Sequence, residues 1–192
     1  MLVMVYAHYE GFCKFALERY VKAVNDASIK CGEASAPVVA GSWRAIFSAV
    51  ESGDQKSKIF KSKLPDDERL HRFARRREFV EKFRDFEELV AEVPGDTVDT
   101  ESNLWPIVMQ KNLYLIGLDH EAFSKHDGDI SQLMRRRNNI SHGLERDGLT
   151  AQKYDRIERA VCRIMDDLMT LVMDAIANEL YSKPTAVSDA TS

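Results

Sequence analysis

Leu133-Met134-Arg135-Arg136-Arg137-Asn138-Asn139-Ile140-Ser141-His142-Gly143 decides how the chain is read, because it sets a polar, chemically capable cluster on an otherwise ordinary amphipathic helix. Leu133, Met134 and Ile140 supply an apolar stripe, and Gly143 stands where a left-handed C-cap closes a helix, so His142 is predicted in the last turn. Residues four apart share a face, which places His142 over Asn138. A five-residue step carries Arg137 about 140° round, at about 100° per residue. One regular helix therefore does not aim cation and imidazole at one spot. Either the helix loosens at Ser141-His142, or a second copy of the chain completes the site.

Beyond this stretch, Glu145-Arg146-Asp147-Gly148 reads as a turn, and Thr150 can cap a last helix. Tyr154, Ile157, Val161, Ile164, Met165, Leu168, Leu171, Val172, Ala175, Ile176 and Leu180 recur every three to four residues, the strongest helical signal in the chain. Asp155–Arg159 and Arg163–Asp167, four apart, fit a partly exposed face. Ser, Thr and Ala after Pro184 read as a disordered tail, so one domain is expected over 1–182 and a tail over 183–192.

On the other side, 119–128 is a short polar segment whose His120 and His126 match no common metal-ligand spacing. A helix over 104–117 carries Leu104, Ile107, Val108, Leu113 (or Lys111), Leu115 and Leu118, with Ser102 as candidate N-cap. The break at 92–102, which holds Pro94 and Gly95, is an intradomain connection. A helix over 66–91 turns Leu70, Phe73, Phe79 (or Val80), Phe83, Phe86 (or Glu87) and Val90 inward, and Arg72, Arg75, Arg76 and Arg77 mostly outward. Those arginines are either a solvated face with pairs such as Arg77–Glu81 or a groove for RNA phosphates, which suit the guanidinium fork. The basic run 56–63 is either mobile or lies along a phosphate backbone. A helix over 38–51 ends at Ser52-Gly53-Asp54, and a long first helix over 2–25 carries His8 and Glu10.

The chain has 192 residues, which fits one domain, with 44% apolar and 30% charged residues as in a soluble globular protein. Cys13, Cys31 and Cys162 are too scattered for a disulfide framework or a zinc knuckle, which suits a reducing cytoplasm. The apolar opening lacks a basic leader, and Arg159, Arg163, Asp166, Asp167 and Asp174 interrupt the apolar 157–180 segment, so no membrane association is expected. The net charge of −4 argues against a general nucleic-acid binder, yet 56–84 holds eleven Lys or Arg against five Asp or Glu.

Arg-Asn-x-x-x-His, here Arg137-Asn138-Asn139-Ile140-Ser141-His142, resembles the R-N-x-x-x-H signature of the HEPN superfamily of small all-helical domains. Tyr6-Ala7-His8-Tyr9-Glu10-Gly11-Phe12, Ser102-Asn103-Leu104, Leu115-Ile116-Gly117-Leu118 and His142-Gly143 are similar to bacterial HEPN proteins associated with defence, so the resemblance spans most of residues 1–181. It implies an all-α, up-and-down helical bundle of the HEPN type with extra helices and loops. Ser141 departs from the small apolar residue common at that place.

Metal-independent RNA cleavage needs a base for the 2′-hydroxyl proton, an acid for the leaving 5′-oxygen and positive charge for the phosphorane. An imidazole, with an ordinary pKa of about 6.5, serves the proton roles, and an arginine the electrostatic one. The resemblance implies a homodimer with Arg137, Asn138 and His142 from both copies in a composite site. The expected products are 2′,3′-cyclic phosphate and 5′-hydroxyl ends, with no cofactor. Arg135 and Arg136 would add phosphate affinity, with Arg72, Arg75 and Arg76 as further RNA contacts. His8, Glu10 and Ser141 are supporting candidates, although His8 alone on an apolar helix also reads as a packing residue. The company such proteins keep implies a toxin or phage-defence effector, restrained by an antitoxin or another defence-system protein. Against this stand two readings: a catalytically silent module that docks a partner, and a bundle that binds a nucleotide through its basic third helix. The structural alternative for the motif itself is that Arg137 and Asn138 cap and pair at a helix end that His142 terminates.

Overall fold

Apolar side chains at three- and four-residue spacing along both ends of the chain are what the fold is built on. The computed structural model describes residues 2–52, 56–144 and 150–184, and among them seven α-helices and no strand. Helix α1 (Leu2–Asp26) buries Tyr6, Tyr9, Cys13, Leu17, Tyr20 and Val24, and the C-terminal α7 (Ala151–Ala177) buries Ile157, Val161, Ile164, Leu168 and Val172 against it. Across this pair lies α6 (Asp127–Ser141), with Ile130, Leu133 and Met134 inward, and α5 (Pro106–Leu115) adds Val108, Met109 and Leu113. Leu17, Leu133 and Leu168 are wholly buried; each such side chain contributes about 1.5–3 kcal/mol by leaving water. This is the expected all-α bundle, and no described helix is long and apolar enough to cross a membrane.

Between α1 and α5 the chain makes an excursion of three helices, α2 (Ala36–Ser42), α3 (Arg44–Glu51) and α4 (Glu68–Arg84). The single helix expected over 38–51 is broken at Trp43, whose backbone leaves the helical region at φ −92° and ψ 6°. That break lets the buried indole meet Phe79 and Phe86 edge-on, at ring distances of 6.1 and 5.0 Å. Helix α4 is also shorter than the expected 66–91. Asp67 caps it, accepting from the Leu70 N–H at 2.9 Å, and after Phe86–Glu88 the chain extends and pairs back with the end of α1. There the Cys31 N–H donates to the Leu89 carbonyl (2.7 Å) and the Ala91 N–H to that of Ile29 (2.8 Å). A Cβ on Gly32 would lie 3.0 Å from the Glu87 carbonyl, so a larger residue here would push the two segments apart.

The inward side of α4 departs from expectation. Phe79 and Phe86 join the core, but Phe73, Phe83 and Val90 are exposed, and the buried positions are His71 and Arg75. Because α4 packs chiefly on α3, only the narrow side facing that short helix is covered. Ile107 and Leu115 of α5, expected inward, are exposed as well. Helix α5 starts later than expected, with Trp105 at the N-cap and Pro106 in the first turn, where its missing N–H costs nothing; Ser102 instead takes a left-handed φ of +66° in the preceding loop.

Thr150 caps α7 as expected, accepting from the Lys153 N–H at 3.4 Å. Two expected ion pairs on α7 are replaced: Arg159 donates to the Asp155 carbonyl (3.0 Å), and Asp167 pairs with Lys125 (3.3 Å). Lys183, expected in the tail, donates its N–H to the Glu33 carbonyl at 2.7 Å, beside an antiparallel bridge of Ala34 and Ser182. The rest of the expected tail from 185 on, the turn expected at 145–148, and Gly53-Asp54 lie outside the described residues.

Candidate functional site

Helix α6 stays regular to its end. The His142 N–H still donates to the Asn138 carbonyl at 3.0 Å, and Gly143 at φ +67° lets the Leu144 N–H reach the Asn139 carbonyl at 2.9 Å. The helix does not loosen at Ser141-His142, so Arg137 and His142 keep to different faces. Arg137 is half-buried and turned to α1, while His142, at the C-cap, is exposed and has no side-chain partner among the described residues.

The Arg137 guanidinium is clamped from three sides. It lies over the Tyr6 ring, 4.7 Å from the centroid. Its Nη1 donates to Asn103 Oδ1 at 3.1 Å and to Asn138 Oδ1 at 3.0 Å. Stacking on an aromatic face and two carbonyl-type acceptors on one terminal nitrogen fix a planar cation in a way no lysine reproduces. Burial pushes the Tyr6 hydroxyl up to about 12, helped by the Glu10 carboxylate one turn on; the Leu104 backbone and Arg137 pull the other way. The ring under the cation is thus a neutral phenol at physiological pH.

Asn103 is delivered by the 92–105 connection, which two asparagine clamps hold in place. Asn25 donates to the Val93 carbonyl (2.9 Å) and accepts its N–H (2.8 Å). Asn112, wholly buried, does the same with Asp99 at 2.7 and 3.1 Å. Each side chain acts as a backbone ladder rung would, so a segment without regular structure is held rigid on the bundle.

Of the sequence candidates, Arg137, Asn138 and Glu10 come together here, with His142 one turn beyond on the outward face. Ser141 is exposed at the last position of α6. Arg135 and Arg136 line an open depression of about 660 Å³ along the outward side of α6, with Ser131, Gln132 and Asn139. His8 is exposed on α1, away from the Tyr6 side. Arg72 and Arg76 are exposed on α4, whereas Arg75 is buried at 8% exposure, so one of the arginines expected outward faces the interior. His120 sits edge-on to Tyr114, and His126 is buried before α6; among the described residues no three His, Cys, Asp or Glu side chains cluster as a metal site would require.

Sequence reasoning did not name Tyr6 and Asn103 as site residues. The signal was present, since both stand in the stretches that carry the resemblance, Tyr6-Ala7-His8-Tyr9-Glu10 and Ser102-Asn103-Leu104.

A helical bundle whose penultimate helix holds an arginine and an asparagine in a clamp and ends on an exposed histidine is the layout of a HEPN-type domain. The family model of MAE_28990-like HEPN domains matches residues 1–181, and the chain belongs to that HEPN family. No curated protein and no solved structure matches it. Membership makes it an RNA-related or nucleotide-binding module of a kind that is often a ribonuclease.

Proposed function

We propose that the protein is a metal-independent endoribonuclease that acts as a homodimer. One observation carries this reading: a regular α6 separates a clamped cation from an exposed, unengaged imidazole, so one chain supplies two half-sites that do not meet. Two copies docked through their α6 ends supply two histidines and two arginines around one phosphate. Ile140 and Leu144, exposed on either side of His142, favour such contact.

In the reaction one His142 imidazole takes the 2′-hydroxyl proton as the 2′-oxygen attacks phosphorus. The other, protonated, gives its proton to the departing 5′-oxygen. Products are a 2′,3′-cyclic phosphate and a 5′-hydroxyl. Arg137 offsets the charge of the phosphorane, which a preorganised cation does without reorganising during the step. Asn138, whose Oδ1 is taken by Arg137, has its amide nitrogen for the phosphate or the imidazole. Arg135, Arg136, Arg72 and Arg76 add phosphate affinity, Glu10 supports Tyr6, and Arg75 acts from within α4. A toxin or phage-defence effector of this kind needs restraint by an antitoxin or another defence-system protein.

A second reading, a silent module that docks a partner or holds a nucleotide, is favoured by one feature, that Arg137 stacks on Tyr6 and spends its Nη1 on two asparagines of its own chain. Labelled RNA incubated in EDTA with wild type and with His142→Ala separates the two. Cyclic-phosphate ends from wild type alone are expected. A folded, dimeric wild type that leaves RNA intact would sink the nuclease reading in favour of the module.

A further inference from the structure

Helix α4 turns one side to α3, and at about 100° per residue the opposite side holds Arg69, Phe73, Arg76, Arg77, Val80 and Arg84, with no acidic residue among them. Phe73 is 65% exposed and Val80 51%. Arg69, Arg76 and Arg84 make no ion pair or hydrogen bond among the described residues; Arg77 pairs with Glu81 at 2.7 Å. The basic loop before α4 is fastened to the same helix. The Ser57 N–H donates to His71 Nδ1 (3.1 Å), so His71 carries its proton on Nε2, which donates to the Pro65 carbonyl (3.3 Å). Loop and helix enclose a groove of about 750 Å³ whose lining includes Phe73, Ile59 and Phe60 together with Lys56, Lys58 and Arg77, and also Glu78, Glu81 and Asp85.

A solvated face would carry the arginines and bury the phenylalanine. A protein interface would take the phenylalanine and the arginines but shed lysine, whereas the loop beside this face carries Lys56, Lys58, Lys61 and Lys63. A polyanion whose monomers have flat π faces uses both the ring and the cations. We propose that this face of α4 and the 56–63 loop form a track for single-stranded RNA, with a base stacked on Phe73 and phosphates held by Arg69, Arg76 and the loop lysines. The proposal takes RNA as the ligand from the nuclease reading and adds that the strand must be unpaired, because a base inside a duplex has no free face to stack.

The test is fluorescence anisotropy with a labelled RNA, single-stranded or annealed to its complement, in a His142→Ala background that leaves the RNA intact. Single strands are expected to bind more tightly than duplex. Phe73→Ala should weaken single-strand binding about tenfold or more, the scale of losing one stacked base, and Phe73→Trp should restore it. Arg69→Gln with Arg76→Gln should lower the slope of log affinity against log salt by about 1.4, at about 0.7 per phosphate contact. Unchanged binding in Phe73→Ala, or an equal loss in Phe73→Trp, overturns the track. So does a Phe73→Ala protein that dissociates in sedimentation while binding RNA as before, which would make the face a contact between copies. Cleavage by wild type is scored separately: its absence with this binding pattern intact sinks the nuclease reading alone, and its presence with no Phe73 effect sinks the track alone.

Discussion

Asn103→Ala tests whether the clamp on Arg137 matters to the site. The substitution removes the one acceptor that Arg137 receives from outside its own helix, 34 positions away in sequence. A hydrogen bond to a charged group contributes about 1.5–3 kcal/mol where no water replaces it, and at half-buried Arg137 water does replace it, which leaves about 1 kcal/mol. For a chain of this length that lowers the melting temperature by about 2–4 °C, read by circular dichroism. Cleavage should fall further than stability, by about tenfold to a hundredfold, because a guanidinium displaced by about 1 Å no longer meets the phosphorane. His142→Ala should do the reverse. Exposed and unpartnered, it should cost less than about 0.5 kcal/mol of stability while abolishing cleavage. In a double-mutant cycle, Asn103→Ala and Arg137→Ala should couple by about 1 kcal/mol. Additive effects, or wild-type cleavage by Asn103→Ala, would refute the clamp.

Three further outcomes are expected. Asn112→Ala removes both hydrogen bonds to the Asp99 backbone, at about 1 kcal/mol each, and leaves a gap where a wholly buried amide stood, so it should destabilise by about 2–4 kcal/mol in urea unfolding and reduce cleavage through Asn103; a loss below that of Asn103→Ala would contradict this. Gly143→Ala strains only the left-handed backbone, at about 1–2 kcal/mol. Gly117→Ala adds a Cβ 3.0 Å from the Pro37 ring at φ +79°, so its melting temperature should fall further, and equal losses would disprove the steric argument. Burial, then Lys125 and Arg163, pull the His126 imidazole below its ordinary 6.5, against Asp167 and Asp129. A depressed histidine contributes stability above its ordinary pKa that is lost as pH falls through the folded one, so stability should decline as pH falls below about 6.5. His126→Gln should flatten that decline; an unchanged slope would assign it elsewhere.

The bundle helices α1, α6 and α7 were legible because their signals are local. Apolar spacing marks them, Thr150 starts α7, and Gly143 closes α6 with His142 at its cap. The five-residue step from Arg137 to His142 likewise implied two faces, which the unbroken α6 keeps. Reading failed where a neighbour decides. A stripe on α4 could name Phe73 and Phe83 as core only if something covered them, and α3 covers the side of His71 and Arg75 instead. One helix over 38–51 was the local expectation, and the pull of Phe79 and Phe86 on Trp43 broke it.

The candidate site divides along the same line. The residue types and the helix end that present Arg137, Asn138 and His142 are properties of eleven consecutive residues. That Arg137 lies on Tyr6 and is held by Asn103 is a property of packing, since α1 reaches α6 only through the assembled core and Asn103 arrives on a connection pinned by Asn25 and Asn112. Spacing and capping act over one helical turn, whereas the clamp joins segments whose separation only the buried core closes.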